Sequence, residues 1–107
     1  MKMHKAKKIV IITEKLVSAG VCKIIEDCGA SGYTTARAGG KGSRNMRSTS
    51  ERASVIEDFV NIKIEVIVND KVMADKIMTQ VAEKYFDSYS GITYVEDVEI
   101  LRPEKFG

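Results

Sequence analysis

Phe59-Val60-Asn61-Ile62-Lys63-Ile64-Glu65-Val66-Ile67-Val68 decides the fold. In an extended chain Ile62, Ile64, Val66 and Val68 share one face, while Lys63, Glu65 and Ile67 share the other. That is a strand with one face in a core. Upstream, Ile9-Val10-Ile11-Ile12 is a continuous β-branched run, the pattern of a central strand covered on at least one side. From Leu16 the apolar spacing becomes helical, through Val17, Val21, Ile24, Ile25 and Cys28, and Gly29 supplies a C-terminal stop. Gly32 to Ala38 has a β-prone middle, and Gly39 to Ser54 has no apolar period, which reads as a long loop.

Downstream of the deciding strand, Asn69-Asp70 caps a second helix with an apolar stripe of Val72, Met73, Ile77, Val81 and Tyr85. Ser88-Tyr89-Ser90-Gly91 ends it, Ile92 to Ile100 is strand-like, and Pro103 marks where regular structure stops. The order strand, helix, strand, long loop, strand, helix, strand predicts an α+β fold. It is a ferredoxin-like βαββαβ sandwich, with an antiparallel sheet, two helices on one face and the long loop between strands 2 and 3. Residues 1–107 form one domain on this reading, with 1–7 a flexible basic N-terminus and 39–54 a mobile loop. The second sheet face needs water, a ligand or another subunit, and trimerisation through that face is one answer.

The chain of 107 residues is long enough for one core, and its net charge of +2 argues against a protein that coats nucleic acid or anionic membrane along its whole surface. Cys22 and Cys28 lie on one predicted helix, where six residues rise about 9 Å, beyond disulfide reach. Two free thiols fit a reducing cytoplasm. The apolar run Ile9 to Ile12 is too short for a signal peptide or a membrane span, so a cytoplasmic protein without direct membrane insertion is expected.

Chemistry concentrates in the loop. Residues 37 to 52 hold Arg37, Lys41, Arg44, Arg47 and Arg52 against Glu51 alone, a local charge of +4 that leaves −2 for the remainder. In Gly39-Gly40-Lys41-Gly42-Ser43-Arg44-Asn45-Met46-Arg47 the glycines let backbone N–H groups converge on an anion, and Ser43, Asn45 and the arginines add donors. Arg44 and Arg47 are the phosphate clamps, since a guanidinium fork meets two oxygens at once; Lys41 acts as a point charge. The spacing is neither a Walker A loop nor a dinucleotide fingerprint.

With these residues in place the chain resembles the PII superfamily, and within it the PII-like signalling proteins of the SbtB type, linked to bicarbonate uptake and the carbon-concentrating mechanism. The resemblance is carried by Thr13-Glu14-Lys15, Gly29-Ala30-Ser31-Gly32-Tyr33-Thr34, Gly39 to Arg47, Ile62-Lys63-Ile64-Glu65, and Lys84-Tyr85-Phe86 with Tyr89-Ser90-Gly91-Ile92. It implies a homotrimer with nucleotide sites in the clefts between subunits. The ligands are adenine nucleotides (cyclic AMP, AMP, ADP or ATP) acting as effectors, with no obligatory cofactor. On that basis Gly42, Ser43, Arg44 and Arg47 hold phosphate oxygens beside Lys41, Thr34 and Gly91 line the cleft, and Glu65 and Ile67 lie near its base. The loop, called the T-loop in this family, contacts a partner through Gly39, Gly40, Asn45, Met46, Ser48 and Arg52. The implied partner is a membrane bicarbonate transporter of the SbtA type, which would recruit the protein to the inner membrane.

Two departures matter. Nitrogen-sensing PII proteins carry Gly-Asp-Gly-Lys where this chain has Ser88-Tyr89-Ser90-Gly91-Ile92, so a phosphate-binding lysine is missing and a ligand with fewer phosphates is favoured. Some SbtB-like proteins carry a cysteine-pair hairpin near the C-terminus, where this chain has Pro103-Glu104-Lys105-Phe106-Gly107, so no redox-controlled hydrolysis is expected. A carboxysome-associated PII-like protein binding ADP or AMP and bicarbonate, or a slow nucleotide hydrolase, are the alternatives. An RNA-binding domain shares the element order, but neither predicted central strand carries an aromatic residue on which to stack a base. His4 is the only histidine, which leaves no histidine-based catalytic or metal constellation.

Overall fold

The computed structural model describes residues 2–39 and 61–101. Six elements follow in order: β1 (His4–Glu14), α1 (Lys15–Asp27), β2 (Thr34–Ala38), β3 (Asn61–Val68), α2 (Lys71–Tyr85) and β4 (Gly91–Ile100). The strands form one sheet in the order β2-β3-β1-β4 with every neighbouring pair antiparallel. This is the ferredoxin-like α+β architecture expected from the sequence.

The core lies between the helices and one sheet face. Ile9 and Ile11 of β1 and Ile64, Val66 and Val68 of β3 meet Val17, Val21, Ile24 and Ile25 of α1 and Ala74, Ile77 and Val81 of α2. The strand residues are every second position and the helix residues recur every three or four, so one apolar set faces inward from each element. Truncating a side chain such as Ile11 or Ile77 to alanine costs about 2–5 kcal/mol, as these sites are fully enclosed.

Local chemistry sets the helix ends. Asp70 accepts from the Met73 backbone N–H at 2.9 Å, capping α2, and Gly29 takes φ +97° just past α1, a conformation glycine adopts without Cβ strain. The predicted stripe of α2 is displaced at its first turn. Val72 is exposed and Ala74 is buried instead, because the line through Ile77 and Val81 runs back to position 74.

The expectation of a flexible N-terminus through residue 7 is corrected: β1 begins at His4 and pairs with β4 from His4↔Ile100 onward. The reason is charge complementarity across the ladder. Lys5 stands opposite Glu99, Lys7 opposite Asp97 and Lys8 opposite Glu96. Lys7 donates to Asp97, and Lys8 lies 3.3 Å from Glu96. Opposite charges on facing strands stabilise the pairing that the basic run on its own would not.

Loop residues Gly40 to Ser54, and the stop at Pro103, lie outside the described residues.

Candidate functional site

The sheet register assigns a place to the predicted site residues that lie on described strands. Thr34 on β2 pairs with Glu65 on β3, which pairs with Val10 on β1, which pairs with Tyr94 on β4. These four form one row on the sheet face that carries neither α1 nor α2, helix-free among the described residues. One row toward the α2-proximal end of β4 holds Ala36, Lys63, Ile12 and Ile92; one row the other way holds Ile67, Lys8 and Glu96. Thr34, Glu65 and Ile67 are thus brought together on the helix-free face beside the β2 edge, and Gly39 follows directly after β2. Gly91 is not among them. It pairs with Thr13 at the start of β4, on the opposite edge, three strand spacings (roughly 14 Å) across the sheet and three residues further along it. Lys41, Gly42, Ser43, Arg44 and Arg47, and the contact residues Gly40, Asn45, Met46, Ser48 and Arg52, lie outside the described residues.

On the helix-free face Val10 is buried and Ile12 and Ile67 are half-buried, while Ile92 and Tyr94 are 55% and 39% exposed. Ion pairs flank this apolar strip: Lys63 with Glu65 at 3.4 Å, and Lys8 with Glu96 at 3.3 Å. The Glu65 carboxylate therefore faces a cation of its own strand. The central strands β1 and β3 carry no Phe, Tyr or Trp among the described residues, and the exposed Tyr94 ring on this face stands on the edge strand β4.

At the Gly91 edge the backbone is tightly held. A Cβ at Gly91 would overlap the Phe86 ring and sit 3.0 Å from the Ile12 carbonyl oxygen, so a side chain here requires the ring to move. Ser90 is gripped from β1: its N–H donates to the Glu14 carboxylate at 2.6 Å, and its carbonyl accepts from the Thr13 hydroxyl at 3.3 Å. Both β1 residues are 1% exposed. Sequence reading assigned no role to Thr13 or Glu14. The available signal was a carboxylate set between a β-branched strand and an apolar-striped helix, where burial demands a partner. Tyr85, Phe86 and Tyr89 pack against the core at the end of α2, Tyr85 and Tyr89 edge-to-face at 6.3 Å, rather than standing free for a base.

At the entry to β2, the Tyr33 hydroxyl donates to Glu26 of α1 at 2.9 Å. The hydrogen bond to Glu26, then that to Cys22, pushes the Tyr33 phenol up to about 12. Partial burial raises the Cys22 thiol, against the Tyr33 hydrogen bond that lowers it. Both cysteines are free and half-buried. Among the described residues no helix is long and apolar enough to cross a membrane.

Residues 6–105 match the family model of nitrogen regulatory protein P-II. This chain belongs to that family. It is similar over its whole length to a PII-like signalling protein of Thermus thermophilus, with 34% identity, full coverage of both chains and a TM-score of 0.81. It is 26% identical to CPII of Thiomonas intermedia, solved with ADP, AMP and acetate and with ADP and bicarbonate, at TM-scores of 0.78 and 0.79 over 99% of this chain and 98% of that one. Bacillus subtilis GlnK, solved with ATP, is 16% identical with a TM-score of 0.58 over 92% of this chain and 85% of that one, and shares the fold.

Proposed function

We propose that this protein is an adenine-nucleotide sensor that assembles as a homotrimer and reports its ligand to a partner protein. The observation that carries this reading is the split of the candidate site. Thr34, Glu65 and Ile67 stand near one edge of the sheet and Gly91 on the other, with an apolar strip between them that is exposed at Ile92 and Tyr94. Copies packed through that strip bury Ile92 and Tyr94 and set the Gly91 edge of one copy against the Thr34 edge of the next. The cleft so formed takes the nucleotide, with Lys41, Gly42, Ser43, Arg44 and Arg47 on its phosphates. Occupancy is passed on through residues 39 to 54, whose Gly39, Gly40, Asn45, Met46, Ser48 and Arg52 meet the partner, by differential binding of ligand to one state of the protein.

The similarity to SbtB-type proteins in the quoted motifs supports a bicarbonate transporter of the SbtA type as that partner, with the protein cytoplasmic and recruited to the inner membrane. The second reading, a carboxysome-associated PII-like protein that binds ADP or AMP together with bicarbonate, is favoured by the likeness to Thiomonas CPII.

Isothermal titration calorimetry with cyclic AMP, AMP, ADP and ATP, each with and without bicarbonate, tests this, with mass measured by light scattering on the same sample. Saturable micromolar binding to a trimer is the expected result. A preference for cyclic AMP or AMP that ignores bicarbonate supports the transporter reading, and an ADP affinity raised by bicarbonate supports the second. A monomer that binds none of the four overturns both.

A further inference from the structure

The end of β1 holds two side chains whose hydrogen bonds leave their own neighbourhood. Glu14 occupies the N-cap position of α1, where a carboxylate would ordinarily meet the free N–H groups and positive end of the helix, yet it makes no capping hydrogen bond there. Its Oε2 instead accepts from the Ser90 N–H, 76 residues away, at a charge-assisted 2.6 Å. Thr13 takes the Ser90 carbonyl from the same side. Both polar atoms of one peptide residue are thus fixed by adjacent residues of β1, one position before the glycine whose Cβ would meet the Phe86 ring.

Burying a carboxylate is costly, and a cap hydrogen bond would have lowered that cost locally. The geometry places the group where it serves the turn between α2 and β4 instead. We infer that Glu14 is a positioning residue for nucleotide binding: with Thr13 it clamps Ser90 so that the Gly91 backbone stands at a fixed height in the ligand cleft. This rests on the nucleotide-sensor reading above. A binding wall made of backbone has no side-chain rotamer to adjust, so its position must be set by neighbours to within about 0.5 Å. Ser90 has no strand partner of its own in the β1–β4 ladder, which starts at Thr13↔Gly91, and the clamp replaces that pairing.

Glu14→Ala and Glu14→Gln separate this role from simple support of the fold. The glutamine keeps an acceptor oxygen at the same reach, and the alanine removes it. ADP and AMP affinities are measured by calorimetry on protein whose mass and melting temperature are recorded, together with hydrogen exchange at the Ser90 amide. The expected result is at least a tenfold loss of affinity and faster Ser90 exchange in Glu14→Ala, with Glu14→Gln within about threefold of the parent. A folded Glu14→Ala protein with a lowered melting temperature but unchanged affinity overturns the positioning role and leaves Glu14 a structural residue. If Glu14→Ala does not fold, Thr13→Val removes the second arm of the clamp at constant shape; about a threefold loss of affinity supports the role, and no loss overturns it. Parent protein that binds no adenine nucleotide defeats the sensor reading, and this role with it, whereas parent binding with unaltered variants defeats the role alone.

Discussion

Val10 and Tyr94 face each other across the β1–β4 ladder on the side of the sheet away from α1 and α2, the valine 1% exposed and the tyrosine 39%. Val10 lies outside the helix-backed core cluster and is nonetheless shielded, while Tyr94 and its neighbour Ile92 face outward. A strip of this kind is what a subunit contact covers. Ile92→Asp is therefore expected to reduce the protein to monomers. The loss is about 2 kcal/mol of apolar burial per copy before the cost of burying the charge, while far-ultraviolet circular dichroism stays unchanged. Light scattering reads the mass; an intact trimer would show that this face is not the contact.

Gly91→Ala drives a methyl group into the Phe86 ring and against the Ile12 carbonyl oxygen. Overpacking of this sort costs about 1–3 kcal/mol, and it moves the start of β4, so a lower melting temperature and weakened nucleotide binding are expected together. Gly32→Ala, where the added carbon meets nothing within 4 Å, is the matched control. Equal behaviour of the two variants would remove Gly91 from the site.

Arg44→Ala is expected to weaken every phosphate-bearing ligand by tenfold or more while leaving the oligomeric mass as it was, since a guanidinium–phosphate pair contributes about 1.5–3 kcal/mol. Calorimetry with AMP and ADP checks this. Unchanged affinity would take Arg44 out of the phosphate clamp.

Tyr33 ties the entry of β2 to α1 through an exposed hydrogen bond to Glu26. Its phenol is raised to about 12 by the hydrogen bonds to Glu26 and then Cys22, against about 10 in an unfolded chain. A raised phenol favours the protonated folded form, so its contribution is full below pH 10 and is lost as pH climbs from 10 through 12. Tyr33→Phe should lose stability at neutral pH and show less of a decline over that alkaline window. Ultraviolet titration should show one of the 4 tyrosines ionising latest, and that step should vanish in the variant.

Asp97 has the opposite sign. The hydrogen bond from Lys7, and then the Lys7 charge, hold its carboxyl below the usual range. Its contribution is present above the unfolded value of about 3.9 and is lost as pH falls through the lower folded value. Acid melting of Asp97→Asn should be flatter than that of the parent below pH 4, and because the pair is exposed, added salt should narrow the difference.

How much of this was legible in advance follows from the range of the interactions. Alternation in Ile62 to Val68, helical spacing from Val17 to Ile25, the Asp70 cap and the Gly29 stop are decided within a few residues, and each was read correctly from the chain alone. The start of β1 was not. Lys5, Lys7 and Lys8 look like a solvated basic tail until Glu99, Asp97 and Glu96 are set opposite them, some ninety residues later. For Glu14 the place between an apolar strand and helix signalled burial, but Ser90, 76 residues distant, could not be named from the chain.

The amino-acid sequence by itself determined the order of elements, the inward faces, the family motifs and the basic, glycine-rich segment suited to an anion, because propensity, periodicity and turn chemistry act locally. Only the tertiary structure decided that the N-terminal lysines belong to a strand, that Thr34 and Gly91 stand on opposite edges of one sheet, and that Ser90 is held by Thr13 and Glu14. Those facts depend on register between strands far apart in the chain, which is set by which charges and apolar groups can be matched at once across the whole sheet.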